Sequence, residues 1–164
     1  MRKFILAATV AALSLSAAPA FAQEASSFTG PRIAVNIGTG GDDFIDFDGQ
    51  TVGVEVGYDF DAGGAVMGIG AEYQTDLGDD IFEFSESAII ARVGARVGSK
   101  ALLFGTGGYT RLSDSAMPFG GNGADGYRLG VGVEFGRFKV EQRYSDYGSG
   151  VNAWQTVAGL NFRF

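Results

Sequence analysis

The sequence contains neither cysteine nor histidine among its 164 residues. Without them, serine–histidine and cysteine–histidine nucleophiles, zinc sites and most general-base mechanisms lose their usual participants. The sequence therefore predicts no enzymatic activity and no cofactor. The lack of cysteine neither requires nor excludes an oxidising compartment.

Long hydrophobic runs are missing everywhere except at the beginning of the chain. Residues 1–22 read MRKFILAATVAALSLSAAPAFA, with two early bases, an apolar stretch and a small-residue end. The stretch is shorter than the roughly 20 residues of a transmembrane helix. The pattern predicts a secretory signal peptide cleaved between Ala22 and Gln23, export by the general secretory route, and one domain over residues 23–164.

Basic residues are also few. The chain has 12 lysines and arginines against 19 acids, and loss of the leader with Arg2 and Lys3 leaves ten bases and a net charge of −9. Nucleic-acid binding requires a basic surface, so a nucleic-acid partner is not expected.

Alternation of apolar with polar or small residues is the dominant pattern in the rest of the chain. In residues 51–60, valines, a tyrosine and a phenylalanine occupy the even positions, while glycines and acids occupy most odd ones. Residues 126–137 and 151–164 repeat this period of two, which predicts β-strands. Eight strands are predicted, at residues 31–38, 51–60, 65–74, 86–97, 101–111, 126–137, 138–145 and 151–164.

The fifth predicted strand is the least regular. Leu102 and Phe104 set one apolar face, but Gly105, Gly107 and Gly108 blur it. A β-bulge is expected there because a glycine pair readily takes the local kink.

The connections between these strands alternate in length. Residues 39–50, 75–85, 112–125 and 146–150 are long or open, whereas residues 61–64, 98–100 and 136–137 are tight. Both termini then lie on the side of the tight turns. This layout predicts an all-β fold, a transmembrane eight-stranded antiparallel up-and-down β-barrel.

The distribution of charge indicates which face meets lipid. The apolar face of the predicted strands carries no acid or base, as expected where a charge in hydrocarbon costs a few kcal/mol. The other face mixes glycines with a nearly balanced set of charges, and the four long connections hold eleven acids and no base. The predicted interior charges are Glu55, Glu72, Arg92, Arg96, Arg128, Glu134, Lys139, Glu141 and Arg143.

These interior charges are expected to form ion pairs across the lumen, the four glutamates with the four arginines. Two alternatives stay open. One is a narrow porin-like channel for small solutes or ions, although long side chains should plug it. The other is a soluble secreted ligand-binding barrel, whose apolar face would point inward.

The acidic loop at residues 41–49 invites a calcium-site interpretation. Its carboxylate spacing does not match an EF-hand, so no metal site is predicted. A looser hypothesis is that the acidic loops contact lipopolysaccharide phosphates through bridging divalent cations. Apolar residues in the same loops form either an adhesive patch or extensions of the strands.

Three segments carry a resemblance to a known family. They are residues 140–148 (VEQRYSDYG), the Gly-Gly-Tyr step at residues 107–109, and the ending Gly159-x-x-Phe162-x-Phe164. Together with the exported barrel pattern over residues 28–164, they resemble the eight-stranded outer-membrane barrels. That family includes opacity-type surface proteins and the transmembrane domain of OmpA.

The resemblance implies a location and a role. It implies the outer membrane of a Gram-negative-type bacterium and a structural or surface-interaction role of the adhesin or opacity kind. Outer-membrane lipid and lipopolysaccharide would be its surroundings, and a monomer is expected. The barrel-assembly machinery would read the last strand as its signal, through Gly159, Leu160, Phe162 and Phe164.

Overall fold

Eight strands close into one antiparallel barrel in chain order in the computed structural model, which describes residues 28–41, 49–77, 85–113, 122–148 and 151–164. The strands are β1 (Gly30–Gly41), β2 (Gly49–Asp61), β3 (Ala65–Asp76), β4 (Ser85–Val97), β5 (Ala101–Ser113), β6 (Gly123–Phe135), β7 (Phe138–Asp146) and β8 (Asn152–Arg163). The predicted fold is confirmed, and the predicted bounds differ from these by at most three residues. The predicted signal peptide with its Ala22–Gln23 cleavage site, and most of the acidic loop at residues 41–49, lie outside the described residues.

The tight turns lie at one end of the barrel, here called the turn end; the other is the loop end. The connection between β6 and β7 is two residues long, because Gly136 has a φ of 61° and leaves the β region. Strand β6 therefore ends at Phe135 and not, as predicted, at residue 137. Pairing of β1 with β8, from Arg32↔Arg163 to Gly41↔Trp154, completes the barrel.

Apolar side chains cover the outer surface. Val131 on β6 is 65% exposed and Phe138 on β7 is 67% exposed. Polar groups on this surface satisfy one another: the Thr156 hydroxyl donates to Gln142 Oε1 at 2.7 Å. Within the described ranges, no helix is long and apolar enough to cross a membrane. The outward apolar face is what a lipid-facing barrel requires, and it contradicts the soluble alternative.

Strand β5 departs from the predicted pattern in two ways. Its register is unbroken on both sides, from Ala101 to Ser113, so the expected bulge at the glycines is wrong. Its apolar pair, Leu102 and Phe104, faces the interior, and consequently Arg111 lies on the outer face. The reason is packing: Leu102 and Phe104 join Val66 and Phe28 in a small apolar cluster at the turn end.

Candidate functional site in the barrel interior

Charged side chains fill the interior as one continuous series of ion pairs, here called the interior ion chain. Acids and bases alternate along it, six of each, and every member lies within 4 Å of the next. From the turn end to the loop end its members are Arg163, Glu134, Arg92, Asp59, Arg32, Glu55, Lys139, Glu141, Arg143, Glu72, Arg128 and Glu86.

The half of the chain nearer the turn end is built around Asp59 and Glu134. Glu134 Oε2 accepts a hydrogen bond from Arg92 Nη2 at 2.6 Å, and its other oxygen is paired with Arg163. Asp59 Oδ2 lies 3.1 Å from both Arg163 Nη2 and Arg32 Nε. These contacts join β1, β2, β4, β6 and β8, and all but the Asp59–Arg32 contact tie together strands that share no backbone ladder.

The half nearer the loop end is built around Glu72. Glu72 accepts from Arg143 Nη1 at 2.9 Å and from Arg128 Nη1 at 3.0 Å. Arg143 also donates to Glu141 at 3.0 Å, and Arg128 pairs with Glu86. Lys139 connects the two halves, because its Nζ lies 2.5 Å from Glu55 and 3.8 Å from Glu141.

Burial makes these pairings necessary. All members except Arg163 are buried, and a buried charge is tolerated only when it is paired and hydrogen-bonded. Uncharged neighbours complete the set: Asn36 donates to Glu72 at 2.9 Å and Thr106 to Glu141 at 2.7 Å. Equal numbers of acids and bases leave the series neutral.

Inward-facing glycines provide the room for these long side chains. A Cβ added at Gly130 would collide with the Glu141 carboxylate and the Thr106 hydroxyl. At Gly159 it would lie 3.0 Å from Cε of Lys139. Glycine on this face is therefore a packing requirement of the charged residues opposite.

Eight of the nine predicted interior charges belong to this series. They are Glu55, Glu72, Arg92, Arg128, Glu134, Lys139, Glu141 and Arg143. Arg96 does not: it lies near the turn end of β4 and pairs with the exposed Asp61 at 2.7 Å. The predicted pairing of Arg96 with an interior glutamate is replaced by this surface pair.

Four members were missing from the predicted set. They are Arg32, Asp59, Glu86 and Arg163. Asp59 and Arg163 lie on the polar face of strands whose alternation is plain in the sequence. Extending the alternation of inward and outward residues to the ends of these strands identifies both as interior residues. Glu86 lies at the edge of its predicted strand, where parity is hardest to assign.

An aromatic side chain covers each end of the ion chain. At the turn end, Phe28 lies in the apolar cluster, and the Arg163 guanidinium lies 5.6 Å from its ring centroid. At the loop end, Tyr147 follows β7 and contacts Glu86 and Ser145 through side-chain hydrogen bonds. Burial, followed by the charge of Glu86, raises the pKa of Tyr147 well above its usual value, so its hydroxyl stays protonated.

The predicted assembly signal lies at the turn end of β8. Leu160 and Phe162 point outward and are about 40% exposed. The Phe164 amide donates to the Pro31 carbonyl at 3.2 Å, which fixes the end of the chain against β1. Gly159 faces the interior beside Lys139.

The chemistry of the interior is that of paired charges. Among the residues whose positions are described, no group of histidine, cysteine, aspartate or glutamate side chains is arranged to hold a metal ion. The six carboxylates of the interior ion chain are each paired with an arginine or a lysine. This arrangement neutralises their charge and does not leave them available for proton transfer.

Comparison with known proteins places this barrel among outer-membrane proteins. Residues 8–164 match the family described as outer membrane protein beta-barrel domain. No curated protein matches the sequence.

Solved structures share the fold at low sequence identity. The N-terminal β-barrel domain of Pseudomonas aeruginosa OprF is similar with a TM-score of 0.56 and 13% identity, over 80% of this chain and 96% of that one. Neisserial surface protein A (NspA) gives 0.55 and 14%, over 82% and 96%. The outer membrane enzyme PagL gives 0.53 and 13%, over 81% and 99%.

Proposed function

Because the chain belongs to the outer membrane protein beta-barrel domain family, we propose that it is a non-conducting structural barrel with a surface-interaction role of the adhesin or opacity kind. In such barrels the short turns face the periplasm and the longer loops face the exterior. The turn end is then periplasmic and the loop end extracellular.

The interior ion chain is the main observation that supports a non-conducting barrel. An eight-stranded barrel has an interior only wide enough for side chains. Here that space holds twelve paired charges from Arg163 to Glu86, with Phe28 and Tyr147 at the two ends. A solute crossing the barrel would have to break several buried pairs, each of which costs several kcal/mol to separate.

Planar-bilayer recording tests the proposal against a narrow porin-like channel. The folded wild-type barrel is expected to give no steady single-channel steps. The variant E55A/K139A/E141A removes the middle of the ion chain and is expected to conduct, because the middle of the lumen is then no longer filled. Steady steps from the wild type would favour the channel.

A gel control makes that experiment interpretable. Folded barrels resist unfolding by the gel detergent until they are heated, so unboiled samples of both proteins should migrate as compact bands. A compact triple variant that does not conduct would show that the middle of the ion chain is not what closes the lumen, and would overturn the argument.

We also propose that the barrel has no enzymatic activity. The fold does not decide this, since PagL has a similar fold and is an enzyme. The proposal is supported by the lack of histidine and cysteine and by the engagement of the interior acids in ion pairs. Release of fatty acid from lipid A incubated with the folded barrel would contradict it.

Biogenesis is the last part of the proposal. Export by the secretory route, cleavage between Ala22 and Gln23, and insertion by the barrel-assembly machinery would give a monomer surrounded by lipid and lipopolysaccharide. The outward-facing Leu160 and Phe162 on β8 support an assembly signal in this strand. Mass spectrometry of the membrane-extracted protein should give a mature N-terminus at Gln23, and F164A should slow insertion.

A further inference from the structure

Surface charge is divided between the two ends of the barrel. Of the ten bases after residue 22, six belong to the interior ion chain and three others, Arg96, Lys100 and Arg137, lie at or next to the short turns. Among the described residues of the turn end, the one exposed acidic side chain is Asp61, which is paired with Arg96. The surface of the turn end is therefore positive, even when the carboxylate of Phe164 is counted.

Lys100 and Arg137 lie on two turns that contact each other. The Gly136 amide donates to the Lys100 carbonyl at 3.0 Å, and Arg137 is the next residue along the chain. Both bases are exposed, and neither has an ion-pair partner in the part of the chain that the structure describes. The Arg137 guanidinium carbon lies 6.0 Å from the ring centroid of Phe162, so this side chain extends along the lipid-facing wall.

Large apolar side chains lie on the membrane side of these two bases. Phe135 and Phe138 flank the turn that carries Arg137, are opposite each other in the sheet and are strongly exposed. Val97, which is also exposed, precedes the turn that carries Lys100. Two unpaired cations therefore stand directly beside an apolar surface, which is the arrangement that suits a ligand with an anionic head and apolar chains.

We infer that this part of the turn end binds an anionic phospholipid of the periplasmic leaflet, with the phosphate at Lys100 and Arg137 and an acyl chain over Phe135 and Phe138. Charge complementarity favours an anionic headgroup, because bases at a membrane surface attract anionic lipid and both cation types bind phosphate oxygens. A zwitterionic headgroup brings its own cation and gains less from the same two bases. The choice of leaflet rests on the orientation in the proposed function, whereas the site itself rests on the contacts of the turn end.

Native mass spectrometry of the folded barrel in detergent tests the inference. The barrel is titrated with phosphatidylglycerol and, separately, with phosphatidylcholine that has the same acyl chains. The wild type should bind phosphatidylglycerol about tenfold more tightly. K100Q/R137Q should lose this preference, since each base near the headgroup contributes about fivefold to the affinity. Equal binding of the two lipids by the wild type, or an undiminished preference in K100Q/R137Q, would overturn the inference.

A matched double variant separates the site from the total charge of the protein. R96Q/R111Q also removes two positive charges, but Arg96 is already paired with Asp61 and Arg111 lies at the loop end beside Asp125. This variant should keep the preference for phosphatidylglycerol. If it weakens binding as much as K100Q/R137Q does, the attraction belongs to the whole protein and the site is wrong. Compact unboiled gel bands establish that both variants are folded.

The apolar half of the site is tested by F138A, which should weaken the binding of both phospholipids several-fold. The control is F60A, which removes another exposed phenylalanine near the turn end, on β2. F60A should bind both lipids as the wild type does, and glycerol phosphate, which has no acyl chain, should not displace phosphatidylglycerol. Equal effects of the two substitutions, or displacement by glycerol phosphate, would exclude a phospholipid site.

These measurements are independent of the conductance experiment. Binding in detergent requires neither a membrane orientation nor a closed lumen, because all the substituted residues lie outside the interior ion chain. Steady channel steps from the wild type would therefore leave the lipid site standing, and loss of the lipid preference would leave the non-conducting barrel standing.

Discussion

Lys139 and Glu55 pair across the barrel interior, with the Lys139 ammonium 2.5 Å from Glu55 Oε2. Lys139 is on β7 and Glu55 is on β2, and these strands are separated by β8 and β1 in the closed sheet. The pair therefore connects two parts of the wall that no backbone hydrogen bond joins directly.

This pair predicts a non-additive double substitution. K139M and E55Q should each lower the free energy of unfolding by about 3 kcal/mol, because each leaves a buried charge uncompensated. K139M/E55Q restores neutrality and should cost clearly less than the sum. Urea unfolding in detergent measures all three, with K100M as an exposed control. An additive double variant would contradict the pairing.

Arg143 and Arg96 should differ strongly in their effect on stability. R143A removes the partner of Glu72 and Glu141 in the interior and should lower the unfolding free energy by about 3–5 kcal/mol, and with it the unfolding temperature. R96A breaks an exposed pair with Asp61 and should cost about 0–1 kcal/mol. Both should insert into membranes normally. Equal melting curves for R143A and the wild type would count against the interior placement.

The two classes of glycine should respond oppositely to enlargement. G130V places methyl groups against Glu141 and Thr106 and should lower the unfolding free energy by about 1–3 kcal/mol. G105V adds a β-branched residue to an open lipid-facing position and should be neutral or stabilising. Comparison of their unfolding midpoints checks the assignment of inner and outer faces in β5 and β6.

Phe28 should control access to the interior from the turn end. Since the chain has no cysteine, L102C serves as a unique reporter beneath Phe28 in the apolar cluster. A maleimide reagent should label L102C slowly, and label F28A/L102C faster. S99C, in the exposed turn, is the control for the activity of the reagent. It should react rapidly whether or not Phe28 is present. Equal rates for L102C in both backgrounds would rule out a covering role.

Tyr147 should make stability depend on pH in the alkaline range. Its pKa in the folded barrel is raised above that of an unfolded tyrosine, about 10, so the folded state holds the proton more tightly. Its contribution is then complete below about pH 10 and is lost as the pH rises further. The unfolding temperature of the wild type should fall more steeply above pH 10 than that of Y147F.

Much of the barrel follows from local pattern. The alternation in residues 51–60 and 126–135 places their valines outward and Glu55, Arg128 and Glu134 inward, because successive strand residues point to opposite faces. The strand number and the alternation of long and short connections are likewise visible in the sequence. A bilayer outside and a confined lumen inside leave each strand few other arrangements.

Strand β5 shows where local pattern fails. Its glycines lie on both faces, so its parity was set by the contacts of Leu102 and Phe104 with Val66 and Phe28, residues far away along the chain. That packing turned Arg111 outward, which the sequence does not indicate.

The sequence by itself determined an eight-stranded barrel with a polar interior, since period-two alternation and charge segregation are properties of each strand alone. Only the tertiary structure decided the partners within the interior ion chain. Glu55 meets Lys139 through closure of the barrel across 84 positions of sequence, and such contacts depend on shear, register and the space left by glycines on other strands.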